Sequence, residues 1–236
     1  MFFVGVQKLE YLRRVASFGK GLITPQATLD TLAEWIQEGV ISGSWERSKV
    51  ETLIPVGRIH PMSIQLKRSG AGRIIIDMSA PRGRRVRSIN AMIKDGMEEF
   101  PISMCDAGTV LRMVTNVECI PTIVAAKADW DHVYKHIPVC LGDAGLQFVS
   151  CGGKLFVDLS LVFGASSSPS VFDQVAAIVL YFSVILAGVS SGNTGHQLDD
   201  AFFIGLENKA SSWFAVISRC VPGWVSSSRT CLSLTR

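Results

Sequence analysis

Two adjacent aspartates, Asp199 and Asp200, are the residues of this chain whose type and position most suggest chemistry. Apolar residues flank them, with Leu198 before and Phe202 after, so the segment is predicted to form two short strands joined by a tight turn with the acids at its tip. The flanks look buried, and like charges beside a core repel unless a cation lies between them. Mg²⁺, which prefers carboxylate and phosphate oxygens, is the simplest cation to expect.

A second acidic site lies upstream, where the apolar residues 123–126 are followed by Lys127, Ala128 and then Asp129. This run predicts a buried strand that presents Asp129 at its end and is followed by a short helical turn. Between the two acidic sites, Gly164 permits close backbone approach, and serines with Pro169 predict the start of a long apolar helix. Such a helix start suits a phosphate or a nucleic-acid backbone.

Four blocks of this sequence occur in a recognisable order. Residues 73–83 begin with Arg and continue as an apolar strand to an Asp; residues 127–139 form a Lys-x-Asp stretch ending in Ile-Pro-Val; residues 161–172 read Leu-x-Phe-Gly and then Ser-x-Pro-x-x-Phe; residues 197–200 end in Asp-Asp. Together they resemble the fingers strand and palm motifs of reverse transcriptases, in particular those of DIRS-type and related retroelements. Gln197, Val162 and Ala165 depart from the family pattern, which has an aromatic residue, a Pro and a larger residue there.

The resemblance implies roles for particular residues. Asp129, Asp199 and Asp200 would hold two Mg²⁺ (or Mn²⁺) ions and catalyse addition of dNTPs to a primer 3′-hydroxyl on an RNA/DNA template. Tyr134 would be the gate that excludes a ribose 2′-hydroxyl. The residues implied in substrate binding are Arg73 with Lys67 or Arg68 on the triphosphate, and Phe163 and Gly164 beneath the nucleotide.

Each of these residues also has a structural interpretation. Asp129 could be a helix N-cap, with Asp131 the stronger candidate for that cap; Tyr134 and Phe163 could be core aromatics. Arg68 could lie on a solvated hairpin edge. His132 and His136 have a spacing that suits zinc on a helix, which leaves a hydrolase as a distant third function.

The predicted fold is α+β, with a fingers–palm arrangement whose antiparallel palm sheet carries the Asp-Asp hairpin and is backed by helices. The predicted segments are an N-terminal helical extension (1–49), a fingers-like region (50–120), a palm-like catalytic region (121–205) and a truncated C-terminal tail (206–236). Because the chain ends at Arg236, we expect the thumb and primer grip to be absent, and the Ser-rich end from Ser226 to be disordered. A non-catalytic nucleic-acid-binding remnant of a retroelement polymerase is therefore the alternative function.

Composition is that of a globular protein, with 236 residues, 48% hydrophobic and 18% charged residues, and a net charge of +3. Basic residues cluster between 67 and 87, where Asp77 is the only acid, which predicts a phosphate-facing surface or a solvated loop. The apolar run 175–189 is shorter than a membrane span needs and favours a buried palm helix. Six cysteines without a Cys-x-x-Cys pair, and a start without a signal-peptide pattern, predict an intracellular protein, either cytoplasmic or nuclear. The shortness of the apolar run 175–189 predicts no membrane partner.

Overall fold

The computed structural model describes residues 25–54, 57–66, 72–82, 87–94, 102, 105–117, 122–198 and 200–235. The chain divides into two compact units. The first unit comprises Met1–Glu99 and Tyr134–Ser168, and the second unit comprises Phe100–Val133 and Pro169–Arg236. Helices and antiparallel strands occur in both, so the predicted α+β class is confirmed.

The second unit is built on one four-stranded antiparallel sheet. Its strands and main helices are β5 (Thr122–Trp130), α6 (Ser168–Ala187), β8 (Thr194–Gln197), β9 (Asp200–Gly205), α7 (Glu207–Cys220) and β10 (Val225–Thr235). The strand order is β10-β5-β9-β8. A β-α-β-β-α-β sequence with the first strand central in the sheet is the split βαβ, or ferredoxin-like, arrangement.

One face of this sheet is covered by the two helices because β5 alternates apolar residues toward them. Ala126 and Ala128 are fully buried, and their small side chains let the helices approach closely. Trp130 meets Phe172 of α6 edge to face, with ring centroids 6.0 Å apart. Trp213 of α7 stacks on Phe203 of β9 at 5.9 Å.

Among the described elements of the second unit, α4 (Ala107–Asn116) covers the opposite face of the sheet, at one end only. There α4 packs Met113 against Ile204, and the Asp106 carboxylate caps the helix by accepting a hydrogen bond from the Thr109 amide at 2.7 Å. At the other end of the same face the charged residues of β5 and β9 remain exposed to solvent. The acids therefore lie on a sheet surface that no described element of the second unit covers.

Helix α6 is apolar on its outer side as well as its inner side. Five large side chains on it are more than half exposed: Ile178, Tyr181, Phe182, Ile185 and Leu186. Its 20 residues have a mean hydropathy of 1.9 in the most apolar window, long and apolar enough to cross a membrane by length and composition. This is weak evidence for a span, since core helices of soluble proteins share these properties.

The first unit contains a second sheet and a separate hairpin. Its elements are α1 (Pro25–Gln37), β1 (Ile41–Trp45), α2 (Arg47–Leu53), β2 (Ile59–His60), β3 (Met62–Leu66), β4 (Gly72–Ile76), α3 (Ile89–Lys94), a 3-10 helix (Val133–His136) at the boundary of the two units, α5 (Leu141–Ala144), β6 (Phe148–Cys151) and β7 (Lys154–Asp158). The sheet has the order β1-β7-β6-β2, in which β2 is parallel to β6. Strands β3 and β4 form the hairpin. The main core cluster of the first unit includes Leu32, Ile74, Phe156 and Val162.

The strand ending at Asp129, the helix starting near Pro169 and the two strands around the Asp pair are confirmed as β5, α6 and the β8–β9 hairpin. The sequence pattern also predicts helices over 24–39, 106–117 and 210–216, which are confirmed as α1, α4 and α7. Strands predicted at 63–66, 73–78, 146–150 and 154–157 are confirmed as β3, β4, β6 and β7.

Three local predictions are wrong. The helical turn after Asp129, predicted over 130–136, does not begin at Trp130, because β5 continues through Trp130 and only a 3-10 helix follows. A strand predicted over 53–56 does not start at Leu53, which instead ends helix α2. The chain from Ser226 is not disordered, because its backbone forms β10 and pairs with β5.

The predicted division into four segments stays a prediction. The two compact units do not coincide with the predicted segments, since the second unit joins Phe100–Val133 to Pro169–Arg236. Residues 206–235, predicted to be a tail, contribute α7 and β10 to the sheet that carries the acids.

Candidate active site

The candidate site is centred on two acids that the antiparallel register places side by side. Asp129 near the end of β5 is the direct partner of Asp200, the first residue of β9. The ammonium of Lys127, two residues before Asp129 on the same face of β5, lies 2.9 Å from an Asp129 oxygen and 3.0 Å from an Asp200 oxygen. All three side chains are between 41% and 46% exposed. A cation is therefore held between two carboxylates at an open sheet surface.

The two carboxylates differ in their electrostatics although they are neighbours. The hydrogen bond from Lys127 lowers the pKa of Asp129 below its ordinary value. Two causes raise the pKa of Asp200: partial burial, which is the larger, and the contact with Asp129. Hydrogen bonds to Asp129 and, to a smaller extent, to Asp200 raise the pKa of Lys127. The pair is thus one in which Asp129 ionises first, as expected when two carboxylates share a site.

The donors in this pair suit a hard divalent cation, because both are carboxylates and a cation already lies between them. Among the residues that the structure describes, no group of three or more His, Cys, Asp or Glu side chains could hold a metal ion. Asp199, the third acid implied by the resemblance, lies outside the described residues. The described acids alone form a two-carboxylate site.

The hairpin that carries Asp200 is fixed to α6 by a contact that sequence reasoning missed. The Nε2 atom of His196, on β8, is 2.9 Å from a carboxylate oxygen of Asp173, and both side chains are buried. Leu198, in the turn, has a positive φ of 46°. The sequence signal for this contact is an acid in an apolar helix and a histidine 23 residues later.

In the first unit, Tyr134 is a buried residue that packs on a second predicted site residue. Its ring lies 4.5 Å from the ring of Phe163, centroid to centroid, and only 6% of Tyr134 is exposed. The next residue, Lys135, forms a buried ion pair with Asp158. The structural interpretation of Tyr134 as a buried aromatic anchor is therefore satisfied, and its role as a gate stays a prediction.

Gly164 is required where the chain turns after Phe163. Its φ is 126°, and a Cβ atom there would lie 1.8 Å from the Ile76 carbonyl oxygen of β4. The Ile76 amide in turn donates to the Phe163 carbonyl at 3.1 Å. Asn90 supports the same turn by donating to the Gly164 carbonyl and accepting from the Ser166 amide. The predicted close backbone approach at Gly164 is confirmed.

The predicted basic surface is only partly described. Arg82 forms an ion pair with Asp77 at 2.9 Å, and Arg87 donates to the Ala91 carbonyl. Arg73 lies on β4 opposite Gln65. Lys67, Arg68, Arg84 and Arg85 lie outside the described residues. The predicted grip on a triphosphate therefore stays a prediction.

The helical spacing proposed for a histidine metal site does not form. His132 precedes the 3-10 helix and has a positive φ of 49°. Its ring lies 3.5 Å from Asp131, the acid predicted to cap a helical turn. Asp129 itself is a strand residue, so its interpretation as a helix N-cap is wrong.

Comparison with solved structures finds a reverse transcriptase-like fold. The chain is similar to the native protease-reverse transcriptase of prototype foamy virus (TM-score 0.54, 14% identity, covering 86% of this chain and 23% of that one). It is also similar to foamy viral protease-reverse transcriptase in complex with double-stranded DNA (TM-score 0.58, 15% identity, 89% and 32%). A third match is the same enzyme in complex with an RNA/DNA hybrid (TM-score 0.55, 14% identity, 84% and 23%).

These likenesses concern the fold, since the identities are 13–15%. The chain spans between about a quarter and a third of the length of the enzymes it matches. No protein-family model matches it, and no curated protein matches it.

Proposed function

We propose that this chain carries the nucleotidyl-transfer centre of a reverse transcriptase from a DIRS-type or related retroelement. The single observation that carries the proposal is the register of β5 and β9, which pairs Asp129 with Asp200 on the open face of the sheet. The reverse transcriptase-like fold supports it, as do the four sequence blocks in family order. The similar enzymes were solved with double-stranded DNA and with an RNA/DNA hybrid, which supports a template–primer as the partner here.

In this proposal Asp129, Asp199 and Asp200 hold two Mg²⁺ ions, or Mn²⁺. When bound, the ions would supply activation of the primer 3′-hydroxyl and neutralisation of the triphosphate. The chain's own residues position the reactants: the β5–β9 register fixes the acids, and the His196–Asp173 contact fixes the hairpin. Arg73 with Lys67 or Arg68 would bind the triphosphate of the incoming dNTP.

Primer extension with the purified chain, Mg²⁺, dNTPs and a defined RNA template tests the proposal. We expect incorporation of single nucleotides that Asp129→Asn abolishes. Asp131→Asn is the matched control, because Asp131 is 57% exposed beyond the end of β5. Template–primer binding without any incorporation would reject catalysis and favour the non-catalytic nucleic-acid-binding remnant.

The gate is tested separately, once incorporation is measured. Replacing Tyr134 with Val should admit ribonucleotides while deoxynucleotide use persists, because the clash with the 2′-hydroxyl is removed. Phe163→Leu controls for loss of the ring contact with Tyr134. Unchanged sugar discrimination in Tyr134→Val would make Tyr134 a core residue only.

A further inference from the structure

Lys127 occupies a position that the proposed function leaves without a role. It lies on β5 opposite Phe202, on the same face as Asp129 because side chains alternate along a strand. Its Nζ atom is within hydrogen-bonding distance of both Asp129 and Asp200, at 2.9 and 3.0 Å. One ammonium therefore bridges the two carboxylates that the proposed function assigns to metal ions.

Charge explains why the bridge forms. Two carboxylates in register on adjacent strands repel, and a cation between them removes that repulsion. The same two carboxylates would hold a divalent ion, so the ammonium and the metal ion would compete for them. Lysine is suited to such a temporary contact, since its ammonium sits on a flexible stem and 46% of the side chain is exposed.

We propose that Lys127 is a built-in counter-ion of the Asp129–Asp200 pair, which holds the metal-free site together and leaves its carboxylate contacts when a divalent metal binds. This inference rests on the proposed function. The departing ammonium stays tethered beside the site, so its charge opposes the bound cation and weakens metal affinity. Lys127 is a positioning residue in this scheme.

Binding of Mn²⁺ to the full chain, measured by electron paramagnetic resonance of the free ion, tests the competition. Lys127→Met should bind Mn²⁺ more tightly by on the order of tenfold, since one positive charge a few ångströms from a divalent ion is removed. Lys154→Met is the matched control: Lys154 is 43% exposed and pairs with a single acid, Glu46. Its affinity should equal that of the wild type.

Equal or weaker Mn²⁺ binding by Lys127→Met, with binding still dependent on Asp129, would overturn the competition and leave the proposed metal centre intact. Absence of Asp129-dependent binding in both proteins would reject the metal centre instead, and the competition with it.

Melting in metal-free buffer tests the counter-ion role independently of metal. Lys127→Met should melt at a lower temperature than the wild type, and Lys127→Met/Asp129→Asn should recover most of the loss because only one acid remains charged. Mg²⁺ should raise the melting temperature of Lys127→Met more than that of Lys154→Met. No loss in Lys127→Met, or no recovery in the double variant, would overturn the counter-ion role whatever the metal experiment gives.

Discussion

Two lysine–aspartate contacts in this chain use the same chemical groups in opposite environments. Lys127 bridges Asp129 and Asp200 on an open sheet face, with nearly half of its side chain exposed. Lys135 pairs with Asp158 inside the first unit, where their side chains are 5% and 0% exposed. The ammonium of Lys135 also lies 4.4 Å from the centre of the Trp35 ring.

The environment reverses the effect on the lysine. Burial lowers the pKa of Lys135, because the charged form loses its hydration and Asp158 compensates only partly. Hydrogen bonds to two acids raise the pKa of Lys127, whose side chain is 46% exposed. Asp158 is also fixed by the Ser160 amide and hydroxyl, at 3.1 and 2.8 Å. The buried contact is thus a permanent structural element, whereas the exposed contact is free to exchange with another cation.

The largest effect is expected where one member of the buried pair is removed. Lys135→Met leaves the Asp158 charge buried without its cation, and should lower the free energy of unfolding by about 3–5 kcal/mol. Lys127→Met should cost no more than about 1 kcal/mol, as exposed ion pairs do. Urea denaturation followed by circular dichroism measures both.

Lys135→Met/Asp158→Asn is the control for that measurement, and it should recover much of the loss because no unpaired charge remains. A Lys135→Met protein as stable as Lys127→Met would show that burial does not separate the two contacts.

A smaller effect is expected at the other buried pair, His196 with Asp173. Asp173→Ala should cost roughly 1.5–3 kcal/mol, the range for hydrogen bonds to charged groups. Asp173→Asn should cost less, because its amide oxygen still accepts a hydrogen bond from the ring. The same urea denaturation measures both variants, and equal losses in Ala and Asn would mean that packing, not the hydrogen bond, connects α6 to the hairpin.

The smallest effect is expected in alkaline pH dependence, and its sign distinguishes the two lysines. The pKa of Lys135 lies below the ordinary 10.5, so the unfolded chain binds the proton of this lysine more strongly than the folded chain does. As pH rises toward 10.5, the free energy of unfolding of the wild type should therefore increase relative to that of Lys135→Met. Lys127 has a raised pKa, so its contribution is fully present below 10.5 and is lost as pH rises further.

The free energy of unfolding of the wild type and of each lysine variant is measured in steps across this pH range. The difference between wild type and variant, plotted against pH, gives one slope for each lysine, because the contributions of all other titrating groups cancel in the difference. Slopes of the same sign would contradict the opposed environments.

Elements whose signal is local were predictable from the sequence. The apolar run ending at Asp129 predicted β5, and the serine–proline start predicted α6. Gly164 was recognised as a close-approach position because only glycine permits its backbone geometry. These features depend on residues near one another in the chain.

Elements that depend on distant partners were not predictable. The polar stretch beginning at Ser226 looks like a disordered end, yet its backbone hydrogen-bonds to β5 about 100 residues away. The His196–Asp173 contact joins a strand to a helix face whose rotation the sequence does not specify. Long-range pairing overrides local composition in both cases.

The sequence by itself determined which acids could act together and that Lys127 and Asp129 share a strand face, since side chains alternate with a fixed period. Only the tertiary structure decided that Asp200 lies directly opposite Asp129. Strand register is set by how the apolar face of the sheet packs and by the turn, and not by the two acids themselves. The tertiary structure also decided the environments of the two lysines. Lys127 is 46% exposed, and among the described elements of the second unit α4 packs only at the far end of that sheet face. Lys135 is enclosed with Asp158 and Trp35 in the first unit.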